Sequence, residues 1–356
     1  MARARGGLLA TSVRDRGDRR DRGDRDDVGA LRRVLARAYG VSDVTLHRLV
    51  EGKLVYRVTR PGGPPWVLRA GAGALRYAAA LHYLQQRGVP TTRLVPTREG
   101  ALVAQLEAEG KDHPAHPVVV TTFVPGETPA FRPPSLRRVG EALGRLHAMG
   151  VAGPVPACAS GGPVALPALP RAGMLPRNEL AFARACLQRV AGRVPAAHSA
   201  RYEALWAACD ALDLCEDLPT VFLHGDCHPW NSVLTPEGEV VLIDWDSAGP
   251  GPAVIDVGFL LLSCDTGGLT GPVVAPDPAR MAAVVAGYRQ YHTLTAAELD
   301  RLADAVRFRT LVGAAASFAT LIERGRDPHE APWWWQRYLG AAPLAERARR
   351  HFTGGG

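Results

Sequence analysis

The side chains best suited to chemistry lie in residues 221–246, which read VFLHGDCHPWNSVLTPEGEVVLIDWD. Within this segment, Asn231 follows Asp226 and precedes Asp244. An amide oxygen and a carboxylate are ligands that Mg²⁺ accepts together with substrate phosphates. A second carboxylate beside such a metal can orient or deprotonate an attacking hydroxyl. The pattern therefore indicates a magnesium clamp formed by Asn231 and Asp244, with Asp226 as the base.

A hairpin is expected to position this clamp. Two short predicted strands, 232–235 and 240–243, flank the turn residues 236–239. If Thr235 pairs with Val240, the register places Asn231 opposite Asp244 at the open end of the hairpin. Both metal ligands would then face each other.

The same segment has the spacing of a kinase catalytic loop. Protein kinases carry H-R-D-x-x-x-x-N followed by an Asp-led metal motif, and His224, Asp226 and Asn231 keep that spacing. Gly225 replaces the Arg that senses a phosphorylated activation loop in protein kinases. This replacement favours a small-molecule kinase over a regulated protein kinase.

These residues resemble the aminoglycoside phosphotransferase family, also called the choline-kinase-like phosphotransferases. The resemblance spans roughly residues 41–345 and is most specific in the catalytic segment. Residues 224–231 match the family signature H-G-D-x-H-x-x-N, and Ile243 to Trp245 match its I-D-[WF] motif. Asp256 matches the later Asp of the family, and residues 143–147 match its L-G-R-L-H helix end.

The resemblance implies an α+β, protein-kinase-like fold of two lobes: a small antiparallel β-sheet N-lobe and a larger, mostly helical C-lobe. It implies transfer of the γ-phosphate of ATP (or GTP) to a hydroxyl of a small molecule, with Asp226 as catalytic base. Mg²⁺ would be held by Asn231 and Asp244. His224 and His228 would brace the catalytic loop, and Asp256 would support it from behind.

The resemblance also implies a nucleotide site in the N-lobe. Arg69 falls where the family places a Lys or Arg that touches ATP phosphates, and Lys53 falls in the loop that covers them. The strand end at residues 121–124 would be the hinge, with Thr122 and Val124 offering backbone groups to adenine.

One departure concerns the acidic partner that usually pairs with the phosphate-contacting cation. Residues 52–98 contain no Asp or Glu, and Tyr77 or a neighbour occupies the region where that Glu would fall. Arg69 stays charged without such a partner and can bind phosphate in a bidentate way. The departure motivates an alternative function, a catalytically impaired pseudokinase that acts as a nucleotide-binding or scaffold protein.

The chain is divided by composition into three parts. Residues 1–29 form an Arg/Asp/Gly-rich tail predicted to be disordered, because it has little to bury. Residues 30–124 are predicted as the N-lobe, and residues 125–356 as the C-lobe with the catalytic loop, metal site and acceptor site. Strands are expected at 44–49, 55–59, 66–69, 101–107 and 118–124, and helices at 31–39, 75–87, 135–149, 178–194, 199–212, 278–292 and 295–324.

Charge and hydropathy exclude other function classes. The net charge of +7 is mostly a property of residues 1–40, which contribute +5, so a nucleic-acid partner is not expected. No apolar run approaches the length of a membrane helix, and no secretory signal is recognised. Six cysteines without a C-x-x-C pair indicate free thiols and a cytoplasmic location.

Several residues keep a second interpretation. His224, Cys227 and His228 have spacing that could bind zinc, although no fourth ligand is evident. His147, in the last turn of the helix predicted at 135–149, is interpreted as interacting with the helix dipole. The acceptor stays open: an antibiotic (aminoglycoside, macrolide or similar) or a hydroxylated metabolite. Residues 258–356 contain nine acidic residues and eleven Arg, which does not favour a polycation.

Overall fold

The computed structural model describes residues 17–107, 115–151, 157, 161, 165–169, 171–265, 275–330 and 332–354, with side chains from Val28 onward. The chain forms two compact units: Met1–Pro125 with Val155–Leu169, and Gly126–Pro154 with Pro170–Gly356. The division after Pro125 adjoins the predicted lobe boundary. Residues 155–169 were predicted in the second lobe but group with the first, where Gly161 lies against the backbone of Gly100.

The first unit is built on a five-stranded antiparallel sheet with strand order β1-β2-β3-β5-β4. Its central strands are β-branched and aromatic, the residue types that fill a pleated, half-buried surface. The strands are β1 (Thr45–Arg48), β2 (Val55–Thr59), β3 (Trp66–Ala70), β4 (Ala104–Leu106) and β5 (His116–Thr122).

Two helices accompany this sheet, α1 (Gly17–Tyr39) and α2 (Ala74–Gln86). Helix α1 places Leu31, Val34 and Leu35 at helical spacing, and all three are buried in the core that the sheet forms. Helix α2 packs against β5. The buried face of α1 therefore covers the hydrophobic core of the sheet.

Residues 17–29, part of the tail predicted to be disordered, form the first turns of α1. Extending a helix that is already nucleated costs little per residue, and Arg is a good helix former. The buried turns at Leu31 to Leu35 supply that nucleus. Residues 1–16 lie outside the described part of the chain.

The second unit is mostly helical. Its described helices are α3 (Pro133–Ala148), α4 (Pro176–Val190), α5 (Ser199–Ala211), α6 (Ala253–Leu261), α7 (Pro278–Arg289), α8 (Ala296–Asp300), α9 (Leu302–Glu323), α10 (Trp333–Leu339) and α11 (Ala341–Thr353). Its strands form two antiparallel pairs, β6 (Thr220–Leu223) with β9 (Gly249–Pro252) and β7 (Ser232–Leu234) with β8 (Val240–Leu242).

Helices α3 and α7 pack closely because glycines line their contact. A Cβ atom on Gly140 would lie 2.4 Å from the carbonyl oxygen of Val284, and one on Gly144 would lie 2.5 Å from that of Tyr288. Such distances are shorter than any real Cβ contact, so only glycine permits this approach. The crossing brings His147 of α3 beside Tyr288 of α7.

Helix α9 is the core helix of the second unit. It contacts α4, α6, α10 and α11, and 72% of its most apolar window is buried inside the protein. Its length and hydropathy alone would suffice to cross a membrane. Burial against other helices accounts for its apolar composition instead.

The described cysteines are all buried and free: Cys186, Cys209, Cys215, Cys227 and Cys264. Burial raises the pKa of Cys209 to about 11 and the pKa of Cys215 and Cys264 to about 12. These thiols are therefore protonated at neutral pH and act as small apolar side chains.

Candidate functional site

The predicted catalytic loop follows β6 and begins with a backbone turn that requires glycine. Gly225 has φ = 83°, and a Cβ atom there would lie 2.5 Å from the carbonyl oxygen of Ser247. Both observations exclude larger residues at this position. The glycine that distinguishes this loop from the protein-kinase sequence is thus also a requirement of the local backbone.

Asp256 holds the start of the loop. It lies in the first turn of α6 and is 1% exposed. One of its oxygens accepts the backbone N–H of His224 at 2.7 Å, and the other accepts that of Gly225 at 2.9 Å. The prediction that Asp256 supports the loop from behind accords with these bonds.

A buried hydrogen-bonded chain continues behind Asp256. His147 Nε2 lies 3.2 Å from Oδ2 of Asp256, and His147 Nδ1 lies 2.8 Å from the hydroxyl of Tyr288. The interpretation of His147 as a partner of the helix dipole therefore missed its principal contacts. The glycine-lined crossing of α3 and α7 is what brings this chain together.

His224 is fixed in one neutral form. Its Nε2 donates to the carbonyl oxygen of Ile243 at 2.8 Å, and its Nδ1 accepts the backbone N–H of Asp226 at 3.3 Å. Burial lowers the pKa of His224, although nearby carboxylates oppose this shift. The imidazole therefore links the catalytic loop to the end of β8, which accords with its predicted bracing role.

Asn231 and Asp226 lie side by side. The Nδ2 group of Asn231 donates to the backbone oxygen of Asp226 at 2.9 Å and to its Oδ2 at 2.8 Å. Because both acceptors orient the amide nitrogen toward Asp226, the amide oxygen lies on the opposite side of the group. An oxygen in that position has the chemistry of a Mg²⁺ ligand.

The predicted hairpin register is wrong by one residue. Leu234 pairs with Val240 and Ser232 with Leu242, so Asn231 lies opposite Ile243, whose N–H it accepts at 2.9 Å. The hairpin loop has three residues and ends at Gly238 with φ = 85°, a common loop type that shifts the pairing.

Asp244 is therefore placed by its own backbone rather than by strand pairing. It has φ = 67°, one of two positive φ values among the described non-glycine residues. A left-handed residue directly after a strand turns the chain, and such strain clusters at functional sites. The carboxylate of Asp244 and the amide oxygen of Asn231 are both of the ligand types that Mg²⁺ accepts.

Asp226 also bonds a residue that sequence reasoning missed. Arg309 of α9 donates from Nη2 to Oδ1 of Asp226 at 3.0 Å and from Nη1 to Oε2 of Glu179 at 2.9 Å. The Arg309 side chain is 8% exposed, and that of Glu179 is 14% exposed. These residues come from distant parts of the chain, so no local pattern points to them.

The pKa values of the two carboxylates that bind Arg309 are shifted in opposite directions. Burial would raise the pKa of Asp226, but His228 and Arg309 favour its charged form and hold this pKa well below the ordinary value. Burial raises the pKa of Glu179, and the charge of Asp226 adds to that rise against the opposing effect of Arg309. Asp226 is thus ionised at neutral pH.

His228 lies on the other side of Asp226. Its Nε2 is 3.7 Å from Oδ2 of Asp226, and its ring meets those of Trp230 and Phe259 edge-on. Its Nδ1 is buried with no hydrogen-bond partner among the described residues. The ring packs within the loop, as the bracing role requires.

The zinc interpretation fails for His224, Cys227 and His228. Both nitrogens of His224 are engaged in hydrogen bonds, and burial raises the pKa of Cys227 well above its usual value. Among the described side chains, the group close enough to share a metal ion is another one, His198, Asp327 and His329. In that group Asp327 already accepts the backbone N–H of His329.

The remaining predicted site residues belong to the first unit. Arg69 lies on β3 between Val55 of β2 and Val119 of β5. Its guanidinium carbon lies 4.4 Å from the ring centroid of Tyr77 on α2. An aromatic face of α2 therefore lies against the Arg69 guanidinium.

Lys53 and the hinge residues have simpler surroundings. Lys53 is exposed in the turn between β1 and β2. Thr122, at the end of β5, donates its N–H to the carbonyl oxygen of Arg93 at 2.8 Å and accepts the N–H of Arg93 on its hydroxyl at 3.0 Å. Thr122 thus uses its backbone N–H within the unit, and Val124 lies beyond the strand end.

Comparisons with known proteins identify the family. The family model described as "Phosphotransferase enzyme family" matches residues 40–304. A protein of Deinococcus radiodurans described as uncharacterized is 30% identical over 290 residues, which cover 79% of this chain and 77% of that protein.

Solved structures show the same fold. An amicoumacin kinase in complex with AMP-PNP and Ca²⁺ has a TM-score of 0.61 at 16% identity, covering 93% of this chain and 95% of the other. A microcompartment-associated aminopropanol kinase has a TM-score of 0.52 at 18% identity, covering 92% and 98%. The predicted fold class is confirmed.

Proposed function

The chain belongs to the phosphotransferase enzyme family, and we propose that Asp226 is the base that directs an acceptor hydroxyl onto the γ-phosphate of ATP or GTP. The enzyme is a small-molecule kinase whose acceptor is a hydroxyl group. The observation that carries the proposal is the fixed pair of Asp226 and Asn231, joined by two hydrogen bonds.

The environment of Asp226 suits this role. Phosphoryl transfer through a loose transition state needs little removal of the hydroxyl proton before the bond to phosphorus forms. A carboxylate with a lowered pKa is a weak base, but it is fully ionised and can hold the hydroxyl in line. Positioning is therefore the main contribution of Asp226.

The amide oxygen of Asn231 and the carboxylate of Asp244 would hold Mg²⁺. A bound Mg²⁺ neutralises the charge that develops on the β- and γ-phosphate oxygens. His224, His228 and Asp256 keep the loop in place from behind. None of these three is assigned a step in the reaction.

In the first unit, Arg69 would contact the phosphates and Lys53 would lie in the loop that covers them. Thr122 and Val124 would line the adenine site through backbone groups, Thr122 through its carbonyl oxygen because its N–H is bonded to Arg93. The cation of Arg69 stays charged at any physiological pH, and the face of Tyr77 stabilises it through a cation–π interaction. This contact supports nucleotide binding despite the missing acidic residue.

For the acceptor we propose a hydroxylated antibiotic (aminoglycoside, macrolide or similar) or a small hydroxylated metabolite. The structural neighbours include a kinase of each kind, for amicoumacin and for aminopropanol, and the shared fold does not separate them. The need for ATP accords with a cytoplasmic enzyme, and no nucleic-acid or membrane partner is proposed.

The test is release of nucleoside diphosphate with Mg·ATP and Mg·GTP over a panel of hydroxylated antibiotics and metabolites. We expect acceptor-dependent release by the native enzyme and its loss in Asp226→Asn. The Asn variant keeps the size of the side chain, so Mg·ATP should still bind.

The alternative, a pseudokinase, makes a different prediction. It requires metal-dependent ATP binding with no turnover on any acceptor. A thermal shift with Mg·ATP that persists while every acceptor fails would favour that alternative and contradict the proposed reaction.

A further inference from the structure

The contact between Arg309 and Asp226 has no counterpart in the motifs recognised in the sequence. We propose that Arg309 is a positioning residue for phosphoryl transfer, which fixes the carboxylate of Asp226 while Glu179 fixes Arg309. The inference rests on the proposed function, because it needs Asp226 to be the base. It extends that function to two residues of α9 and α4 that no motif contains.

Arg309 is held from several sides. Its guanidinium bonds Glu179 through Nη1 and Asp226 through Nη2, and its central carbon lies 4.3 Å from the ring centroid of Phe259. Nη1 also lies 3.6 Å from the sulfur of Met174. A planar guanidinium bound at two edges and stacked on one face has little freedom to rotate.

This arrangement fixes Asp226 in turn. Arg309 occupies one lone-pair position of Oδ1, and Asn231 occupies one of Oδ2. Rotation of the carboxylate would break both bonds, so its plane is set. The remaining lone pairs then point in fixed directions, and an acceptor hydroxyl must approach along one of them.

Glu179 acts through Arg309 rather than on the acceptor. Its carboxylate bonds Nη1 of Arg309 at 2.9 Å and is more buried than that of Asp226. Without Glu179, the guanidinium would keep only one carboxylate partner. Loss of Glu179 should therefore weaken the positioning of the Asp226 carboxylate, which loss of Arg309 removes.

A matched control lies on the same helix. Arg307 is two residues before Arg309 and pairs with Asp304 at 3.2 Å in a partly exposed position. Within the described part of the chain, Arg307 makes no hydrogen bond or ion pair with a residue of the catalytic loop. A change of Arg307 removes an arginine from α9 and leaves Asp226 unaffected.

The experiment compares Arg309→Gln, Arg309→Lys and Glu179→Gln with Arg307→Gln in steady-state kinetics, using the best acceptor from the panel and water as a second acceptor. Misplacing a reacting group by about 1 Å costs on the order of 100-fold in rate. We expect Arg309→Gln to lower kcat by about 10- to 100-fold, with KM for Mg·ATP changed by less than about twofold.

Two further results separate positioning from folding. Arg309→Lys should restore part of kcat, since Lys keeps the charge but not the two-edged geometry. The double variant Arg309→Gln with Glu179→Gln should be no slower than Arg309→Gln alone, because Glu179 acts through Arg309. Glu179→Gln keeps the shape of the buried side chain and serves if Arg309→Gln does not fold.

Wild-type kcat in both Arg309→Gln and Glu179→Gln, with Asp226→Asn inactive, would overturn the inference and leave the proposed function standing. A loss of kcat in Arg307→Gln equal to that in Arg309→Gln would also overturn it. Turnover by Asp226→Asn at the native rate would instead refute the proposed base.

Discussion

Replacing Tyr77 by leucine tests whether the cation–π contact with Tyr77 helps Arg69 to bind the nucleotide. Tyr77 is 5% exposed, and its ring centroid lies 4.4 Å from the guanidinium carbon of Arg69. A desolvated cation–π interaction contributes about 2 kcal/mol, and an exposed one about 0.5 to 1 kcal/mol. Since each 1.4 kcal/mol is about tenfold in affinity, Tyr77→Leu should raise the Kd for Mg·ATP by about 2- to 30-fold.

The assay is Mg·ATP binding by isothermal titration calorimetry, with thermal melting to show that each variant is folded. Tyr77→Phe is the matched control, because it keeps the ring and removes the hydroxyl, which lies 3.4 Å from Oγ1 of Thr92. That variant should bind Mg·ATP within about twofold of the native protein. In an Arg69→Met background, Tyr77→Leu should have no further effect on Kd.

A folded Tyr77→Leu protein with the native Kd for Mg·ATP would show that the Tyr77 ring does not contribute to nucleotide binding. So would an equal loss in Tyr77→Phe, which would assign the effect to the hydroxyl rather than to the ring.

Further changes test the catalytic loop and the core. Gly225→Ala should lower the free energy of unfolding by about 1 to 3 kcal/mol and reduce kcat, because its Cβ would meet the Ser247 carbonyl 2.5 Å away; urea unfolding and kinetics measure both. Asp256→Asn should lower the free energy of unfolding by about 1 to 3 kcal/mol. The N–H groups of His224 and Gly225 bond different oxygens of Asp256, whereas the amide of Asn has only one acceptor oxygen. Native unfolding behaviour would contradict this expectation. The described cysteines should react with Ellman's reagent at pH 8 only after unfolding, because all of them are buried. At Cys215 a pKa of about 12 also leaves about one part in ten thousand of the thiol ionised at this pH. Rapid labelling of the native protein in a Cys158→Ser background would refute the expectation.

The catalytic segment could be predicted because its chemistry is local in sequence. Asp226 and Asn231 lie five residues apart on one loop, so their side chains meet without any information about the rest of the fold. The fold class followed from the same segment through the family resemblance. The capping box that Thr295 and Glu298 form is local in the same way, since it spans a single turn.

Other features depended on geometry that the sequence does not display. The hairpin register moved by one residue because the three-residue loop ends in a left-handed glycine at Gly238, and a slip of one reverses which residues face each other. The helix predicted at 295–324 is two helices, α8 and α9, separated at Arg301. Local spacing does not specify such breaks.

Long-range partners were the least accessible to sequence reasoning. Arg309 lies 83 residues from Asp226, and His147 lies 109 residues from Asp256. Each of these pairs forms only because helices pack at particular positions, as where Gly140 and Gly144 admit the backbone of α7. The signal for Arg309 was an arginine inside a mostly apolar helix, since burial of an arginine requires an acidic partner.

Asp226 is proposed to direct phosphoryl transfer to a hydroxyl acceptor. The most direct test follows the label of γ-³²P-ATP in the presence of Mg²⁺ and the best acceptor from the panel, for the native enzyme and for Asp226→Asn. We expect the label on the acceptor with the native enzyme, and in unreacted ATP with the variant. Label transfer at equal rates by both proteins, or label that reaches only inorganic phosphate, would contradict the claim.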